Sequence, residues 1–462
     1  MPSPEDVFEY ITSNNMRWVD LQFSDVEGRT HRTTINAREV SEASFTKGIY
    51  CGDLKEIFGW AEAGELVLLP DPDTFGRVPW EPSTLRMLCN VVVAETGERF
   101  LKDSRYVPER AHVNSSAMGF TDATVSSQIE FYVLDNVTVD KVTPQRGPNC
   151  LIESREAPWS PSPLWNSTSG AYLAQPYDTL YSARVQVSEV IEDSFRYIVT
   201  NHFHGRSGSG QQSLTLAPLS LKTAADAVTT TKFVARNLAM IANSMCTFMG
   251  LPISNERGNS LLAGMTLWKK DENAFYDSTD KYAQLSQTGR YFIGGLLEHA
   301  PALMVFTNPN TNSYKRLSMD PRYIAWGKRN SSAVVRVENE IRNDRRAKKI
   351  VFNLADPSAN PYLAYGVIMA AGLDGIKKKA DPGKAIDEDL TPMDEDEMKK
   401  LGAKMLPSNI LEAIAALESD NKFLKGVISS DILETYLEDK IEEHREQSAR
   451  PTAYEFEKYF NL

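Results

Sequence analysis

The sequence predicts a mixed helix-and-strand protein in two parts, and three observations carry that reading. Its 462 residues exceed what one core organises, at roughly 100–200 residues per domain. Residues 1–98 are dominated by strand and turn patterns. From the segment "DTLYSARVQVSEVIEDSF" onward, long helical patterns alternate with strands and glycine-rich loops.

The elements follow in order. "PEDVFEYITSNNM" places Val7, Phe8 and Ile11 at helical spacing and stops at an Asn-Asn turn. "WVDLQFSDVEGRTHRTTI" alternates apolar and polar residues about an "EGR" turn, which predicts a β-hairpin. "GELVLLPDPDTFGRVPW" is a strand running into Pro/Asp turns, and "TLRMLCNVVVAE" is another strand. A helix is predicted around "RYVPERAHVNSSAM", then the strand "SSQIEFYVLD". Residues 136–170, with "TPQRGPNC" and "APWSPSPLWNSTSG", read as one long loop. "LKTAADAVTTTKFVARNLAMIANSM" carries a helical apolar stripe. "AYGVIMAAGL" is too short to span a bilayer and reads as buried helix. The tail is helical, with a Ser-Asn start at Ser408-Asn409. "AIDEDLTPMDEDEMKK" reads as a solvated acidic loop entering a helix.

Charge and cysteine content narrow the function classes. The net charge is -12, and such a surface repels phosphate backbones, so no nucleic-acid partner is expected. The four cysteines, Cys51, Cys89, Cys150 and Cys246, form no CxxC pair, which argues against a zinc site and a disulfide framework. The opening "MPSPEDVFEYI" lacks the apolar run of a secretory signal. A cytoplasmic location and no membrane association are expected.

Candidate chemistry is sparse. His202 and His204 in "TNHFHGR" share a face if the segment is a strand, and are either a ligand pair or ordinary strand residues. "GRSGSGQQSLTL" (205–216) has the glycines of an anion-cradling turn, but no carboxylate, cysteine or histidine. It is either such a cradle or a flexible surface loop. Arginines and lysines gather between Lys315 and Lys349, in "YKRL", "GKRN" and "VVRVENEIRNDRRAKKI". Arginine suits bidentate binding of phosphate or carboxylate. An anionic ligand and surface pairing with acidic neighbours are equally open.

The segments "NSYKRL" (312–317), "AWGKRNSSA" (325–333) and "DPSANPYLA" (356–364) resemble the glutamine synthetase family. The likeness extends through "IGGLLEHAPAL", "LVLLPDPDTFGRVPW" and the C-terminal segment, over nearly the whole chain. It implies an α+β protein with a small β-grasp-like domain at 1–98. A larger domain at 99–462 follows, whose curved antiparallel sheet forms a funnel surrounded by helices. It also implies stacked hexameric rings, as a homo-oligomer or a mixed assembly with an active paralogue. The family's reaction phosphorylates the γ-carboxylate of glutamate with ATP and then adds ammonia, which requires Mg²⁺ or Mn²⁺ held by carboxylates.

Position by position, the resemblance predicts losses. In "QIEF", Gln128 stands at one metal-glutamate position and Glu130 keeps the next. In "GQQS", Gly210 and Gln211 match, but Ser213 stands where a carboxylate closes the metal site. Thr266 and Trp268 stand for two histidines, Val351 for a metal glutamate and Asn353 for an arginine. Cys51 stands for the ammonium-site aspartate, Ser331 for a phosphate-contacting arginine, and "SMDPRY" for a glutamate-bearing flap. Glu256 and Asp53 are the nearest substitutes. Arg316 and Arg336 remain as substrate or phosphate contacts, and Arg316, Arg336 and Gln211 are the ligand-binding candidates. The main expectation is therefore a family member that has lost glutamine synthesis, with no cofactor. Two alternatives stand beside it. One is an ATP- and Mg- or Mn-dependent ligase joining glutamate to ammonia or another amine. The other is a non-catalytic sensor of a small carboxylate.

Overall fold

The computed structural model describes residues 2–58, 65–139, 150–161, 170–338 and 344–462. Helix Pro4–Ser13 opens the chain behind a Ser3 capping box. It packs Val7 into the core of a five-stranded sheet. There Trp18–Ser24 pairs antiparallel with Thr30–Asn36 and parallel with Thr84–Val93, which also carries Leu66–Pro70. The predicted hairpin is thus present, with Val19, Leu21 and Phe23 turned inward and the polar residues between them facing the other way.

The second sheet has ten strands. Its long central strand, Asp122–Leu134, lies between Leu261–Lys269 and Gln211–Leu216. Lys349–Phe352 and Ala333–Glu338 extend one side, and Val199–His204 closes the other. All these pairings are antiparallel, while at the far edge Tyr323–Lys328 runs parallel to Ala333–Glu338. One face of the sheet packs on the helices Leu221–Ile241, Gln287–Thr307 and Pro361–Lys378 to make the main core. The segment "AYGVIMAAGL" is buried in the last of these helices, as its composition predicts. That helix meets Gln287–Thr307 closely because glycines line the crossing. A Cβ added to Gly295 would lie 2.2 Å from the Ala371 carbonyl oxygen.

Residues 136–170 are not one loop. Asn136–Val139 and Cys150–Glu153 form a two-stranded antiparallel ribbon, while residues 140–149 and 162–169 of that stretch lie outside the described residues. The Pro- and Ser-rich composition hides the short strand because three of its four residues are exposed, which leaves no burial pattern to read. The acidic run enters helix Glu395–Leu401 through an Asp394 capping box. It is less solvated than its charge suggests, since Ile386 and Leu390 anchor a satellite core.

A buried ion network joins the two sheets' domains. Arg105 donates to Asp226 at 2.8 and 2.9 Å and to Asp71 at 2.7 Å. Tyr362 donates its hydroxyl proton to Asp226 at 2.8 Å. Asn360 Nδ2 reaches the carbonyls of Asp25 and Val26. All four cysteines are free thiols. Among the described residues, no helix is long and apolar enough to cross a membrane.

Candidate functional site

The other face of the ten-stranded sheet floors a cavity of about 640 Å³. Strand alternation builds that floor. Thr124, Ser126, Gln128 and Glu130 point into it from the central strand, while Ala123, Val125, Ile129 and Phe131 enter the core. From the next strand come Leu262, Gly264 and Thr266, in register with Gln128, Ser126 and Thr124. Val351 lies beside Gly264 and Arg336 beside Val351, so the row Ser126, Gly264, Val351, Arg336 runs straight across the sheet. Of the positions that the family resemblance predicts for metal ligands, Gln128, Glu130 and Ser213 are neighbours and Val351 lies one cross-strand row away, whereas Thr266 stands opposite Thr124, four residues along the strand from Gln128.

Their chemistry does not fit a divalent cation. A Mg²⁺ ion takes about six oxygen ligands, with carboxylates among them. Val351 offers none. Gln128 Nε2 donates to Ser213 Oγ at 3.2 Å, so two of these positions satisfy each other. Thr266 lines the cavity as a neutral hydroxyl. Glu130 is the carboxylate that remains, and it accepts the Ser260 N–H at 2.9 Å. Burial holds its carboxyl above the usual range, against the pull of that N–H and of Arg206. Glu256 is no substitute, because it accepts the hydroxyls of Ser207 at 2.6 Å and Ser209 at 2.9 Å. Among the described residues, one group of three acidic or histidine side chains converges closely enough for a metal, Glu298, His299 and Asp374. It does not line this cavity.

Cations replace the carboxylates. Arg206, Arg257, Arg322, Arg336, Arg346 and Lys349 line the cavity against Glu130, Asp320 and Glu338. Arg336 and Lys349 hold Glu338 at 2.8 and 3.2 Å. Arg322 holds Asp320 at 2.8 Å, with Arg257 at 3.5 Å. Burial pushes the Asp320 carboxyl up, but Arg322 outweighs it and the group sits at about 2.

The candidate residues separate on these facts. Arg336 lines the cavity. Arg316 does not: it is fully buried, donating to Ser260 Oγ at 3.3 Å and to the Leu354 carbonyl. Burial lowers its pKa, and its part is to brace the cavity wall. Gln211 borders the cavity, but its amide is committed. It accepts the Ser207 N–H at 2.9 Å and donates to the Gly258 carbonyl and Asn259 Oδ1. Cys51 lies in the first domain and does not line this cavity. Its thiol donates to the Ile49 carbonyl at 3.5 Å, and burial pushes it up to about 11.

His202 and His204 do share a face, but Thr200, Asn201 and Phe203 are the residues of that strand that line the cavity, Thr200 beside the strand's register shift. The histidines point to the opposite side. His204 is buried in an ion pair with Glu156 at 2.9 Å, and His202 packs beside Tyr181. They are not a ligand pair. "GRSGSGQQ" is neither a flexible loop nor a backbone cradle. Ser207, Ser209 and Gln211 are buried and bonded to one another and to Glu256. Gly210 turns the chain at φ +94°, where a Cβ would meet the Val133 carbonyl at 2.5 Å. Arg206 is the one side chain of that turn that reaches the cavity's cationic set. Sequence reasoning missed Arg257 and Arg322. The period-2 spacing of Arg336 and Glu338 was a readable signal, whereas Arg322 follows Pro321 in an irregular exit with no period.

A β-grasp domain followed by an α+β domain whose broad antiparallel sheet floors an open cavity defines a glutamine synthetase-type protein. Residues 15–94 match the family description "Glutamine synthetase, beta-Grasp domain", and residues 101–459 match "Glutamine synthetase, catalytic domain". The chain belongs to the glutamine synthetase family. It is 38% identical over 464 residues to a glutamine synthetase of Sulfolobus acidocaldarius, covering 99% of this chain and 98% of that one. It is 34% identical to that of Aquifex aeolicus, covering 100% and 99%. Plasmodium falciparum glutamine synthetase, solved by cryo-electron microscopy, superposes with a TM-score of 0.87 at 22% identity, over 99% of each chain. Ligand-free GmaS superposes at 0.82 and 23% identity, over 99% and 100%.

Proposed function

We propose that this chain is a glutamine synthetase-family protein that assembles as the family does but does not carry out metal-dependent glutamine synthesis. The supporting observation is the cavity's donor set. Gln128, Ser213, Thr266 and Val351 stand at the expected ligand positions, and the three lining carboxylates among the described residues are already bonded. Its role is then structural or regulatory, within a ring of its own or beside an active paralogue. Ring assembly is consistent with a C-terminal segment whose Tyr454, Phe456, Phe460 and Leu462 are all exposed in the single chain. Native mass spectrometry reads the assembly directly, and a monomer would exclude the ring.

A second reading, an ATP-dependent ligase joining glutamate to ammonia or another amine, is favoured by the relatives themselves. Proteins 30–38% identical over the full length bear the name glutamine synthetase. The two readings part in one assay. The purified protein is given glutamate, ATP and ammonia or methylamine with Mg²⁺ or Mn²⁺, and phosphate release is followed. Turnover at the rate of an ordinary synthetase sinks the first reading, and absence of turnover with every amine sinks the second.

A further inference from the structure

We propose that the cavity over the ten-stranded sheet binds a compact polyanion without a divalent cation, its guanidinium and ammonium groups providing the neutralising charge. This rests on the metal-free reading of the same cavity.

Charge excess is the first observation. Among the described residues, six cationic side chains face three carboxylates across the lining. Glu130, its carboxyl raised by burial, weakens the negative side further. The carboxylates are also spent. Asp320 is held by Arg322, and Glu338 lies between Arg336 and Lys349. No two of them are left to grip an ion together.

Unmet donors are the second observation. Arg322 is 7% exposed and its Nε–H has no partner, and the buried Nε–H of Arg336 has none either. A buried donor without an acceptor is unfavourable, and an anionic oxygen relieves it. Both guanidiniums belong to the cavity lining. At the rim, the side chains of Arg206 and Arg346 form no salt bridge among the described residues, although the Arg346 backbone N–H is bound to Asp344 and Arg206 pulls on Glu130.

The floor is the third observation. Thr124, Ser126, Thr266 and Ser331 present neutral hydroxyls where a metal site would need formal negative charge. Ser126 and Thr266 already donate to the Leu216 and Lys348 carbonyls, so their part is a neutral floor that does not repel phosphate or carboxylate oxygens. The volume, about 640 Å³, suits a ligand between pyrophosphate and a nucleotide in size. A magnesium complex of the same anion carries less negative charge and brings a dication among guanidiniums. Added Mg²⁺ therefore weakens binding instead of enabling it.

The test is calorimetric titration of the intact full-length protein with pyrophosphate and, separately, citrate, each in EDTA and in excess MgCl₂. The expected result is binding in EDTA that weakens by roughly tenfold or more with Mg²⁺. Arg346→Gln and Arg206→Gln, both on exposed side chains, each weaken it roughly three- to tenfold while native mass and circular dichroism stay unchanged. Preference for pyrophosphate assigns phosphate chemistry, and preference for citrate assigns polycarboxylate chemistry. No heat with either anion in EDTA overturns the proposal, as does binding that appears only with Mg²⁺. The ligase assay above separates the two failures. Silence in both experiments removes the polyanion alone, whereas metal-dependent turnover removes the reading beneath it.

Discussion

Replacing Asp71 with asparagine tests the ion network that ties the two domains. Arg105 Nη2 lies 2.7 Å from Asp71 Oδ2 and 2.8 Å from Asp226 Oδ2, with Lys222 at 3.1 Å from Asp71. Burial pushes the Asp71 carboxyl up, but Arg105 and then Lys222 overcome it and hold it at about 2 against 3.8 for the free group. That difference is worth roughly 2 kcal/mol. The sign follows from the direction. A depressed acid stabilises the fold fully above its unfolded value and loses that contribution as pH falls through about 2. Asparagine keeps the shape and a carbonyl acceptor, and Asp226 still neutralises Arg105, so the cost at pH 7 is about 1–2 kcal/mol. Urea-unfolding midpoints of wild type and Asp71→Asn, read from pH 7 downward, measure it. Roughly half of the gap persists near pH 3, and it closes toward pH 2. A gap that stays constant across this range would refute the electrostatic reasoning and assign the effect to packing. Equal midpoints at pH 7 would show that the network adds nothing.

Glu130→Gln keeps an acceptor for the Ser260 N–H while removing a charge that burial disfavours. Thermal unfolding at neutral pH is expected to be unchanged or slightly higher, with any gain fading as pH falls below the folded pKa. The same melts with and without MgCl₂ decide its role, since a magnesium shift present in wild type and absent in the variant would make Glu130 a metal ligand. The His204 pKa is raised: burial opposes, and the Glu156 hydrogen bond and charge prevail. The stability of that pair is therefore complete below the ordinary histidine value and is lost as pH rises through the folded one. His204→Gln is expected to cost more at pH 6 than at pH 9, about 1–3 kcal/mol at the lower pH, and equal cost at both would remove the charge from the account. Gly210→Ala places a Cβ 2.5 Å from the Val133 carbonyl at a positive φ. A loss of about 2 kcal/mol or more in unfolding free energy is expected, and an unchanged midpoint would show that the turn relaxes.

Regular elements were legible where one periodicity ran long enough. The first strand of the hairpin about "EGR", with Val19, Leu21 and Phe23, and the helix Leu221–Ile241 both carry a periodic apolar face, and both are where their patterns place them. The ribbon strand Cys150–Glu153 was not legible because it is short and mostly solvent-facing. At the site, local period was readable but the side of the sheet was not. His202 and His204 share a face, and only the three-dimensional arrangement turns that face away from the cavity and onto Glu156. Arg316 and Arg322 show the same limit. They lie six positions apart in one basic segment. Helix Thr311–Met319 turns the first beneath the Leu354 carbonyl, and the exit through Pro321 delivers the second to the cavity. The chemical types at Gln128, Ser213, Thr266 and Val351 were visible in the sequence, whereas the adjacency of Gln128, Glu130 and Ser213, and the separation of Thr266 from them, required strand register.

That adjacency explains how the sheet tolerates its altered floor. A cluster of carboxylates on neighbouring strands is mutually repulsive unless a cation occupies the middle, so such a sheet depends on its ion. Here Glu130 is the one carboxylate left at those positions, the others are neutral, and two of them close a hydrogen bond, Gln128 to Ser213. The turn above is held by a carboxylate that faces serines and not a metal, Glu256 against Ser207 and Ser209. Val351 presents hydrocarbon between Gly264 and Arg336. The floor is therefore satisfied pair by pair and needs no ion to hold its strands together. What remains unbalanced is the ring of guanidiniums above it, with unmet N–H groups on Arg322 and Arg336. The cavity's remaining demand is thus for negative charge, which is opposite in sign to that of a metal site on the same strands.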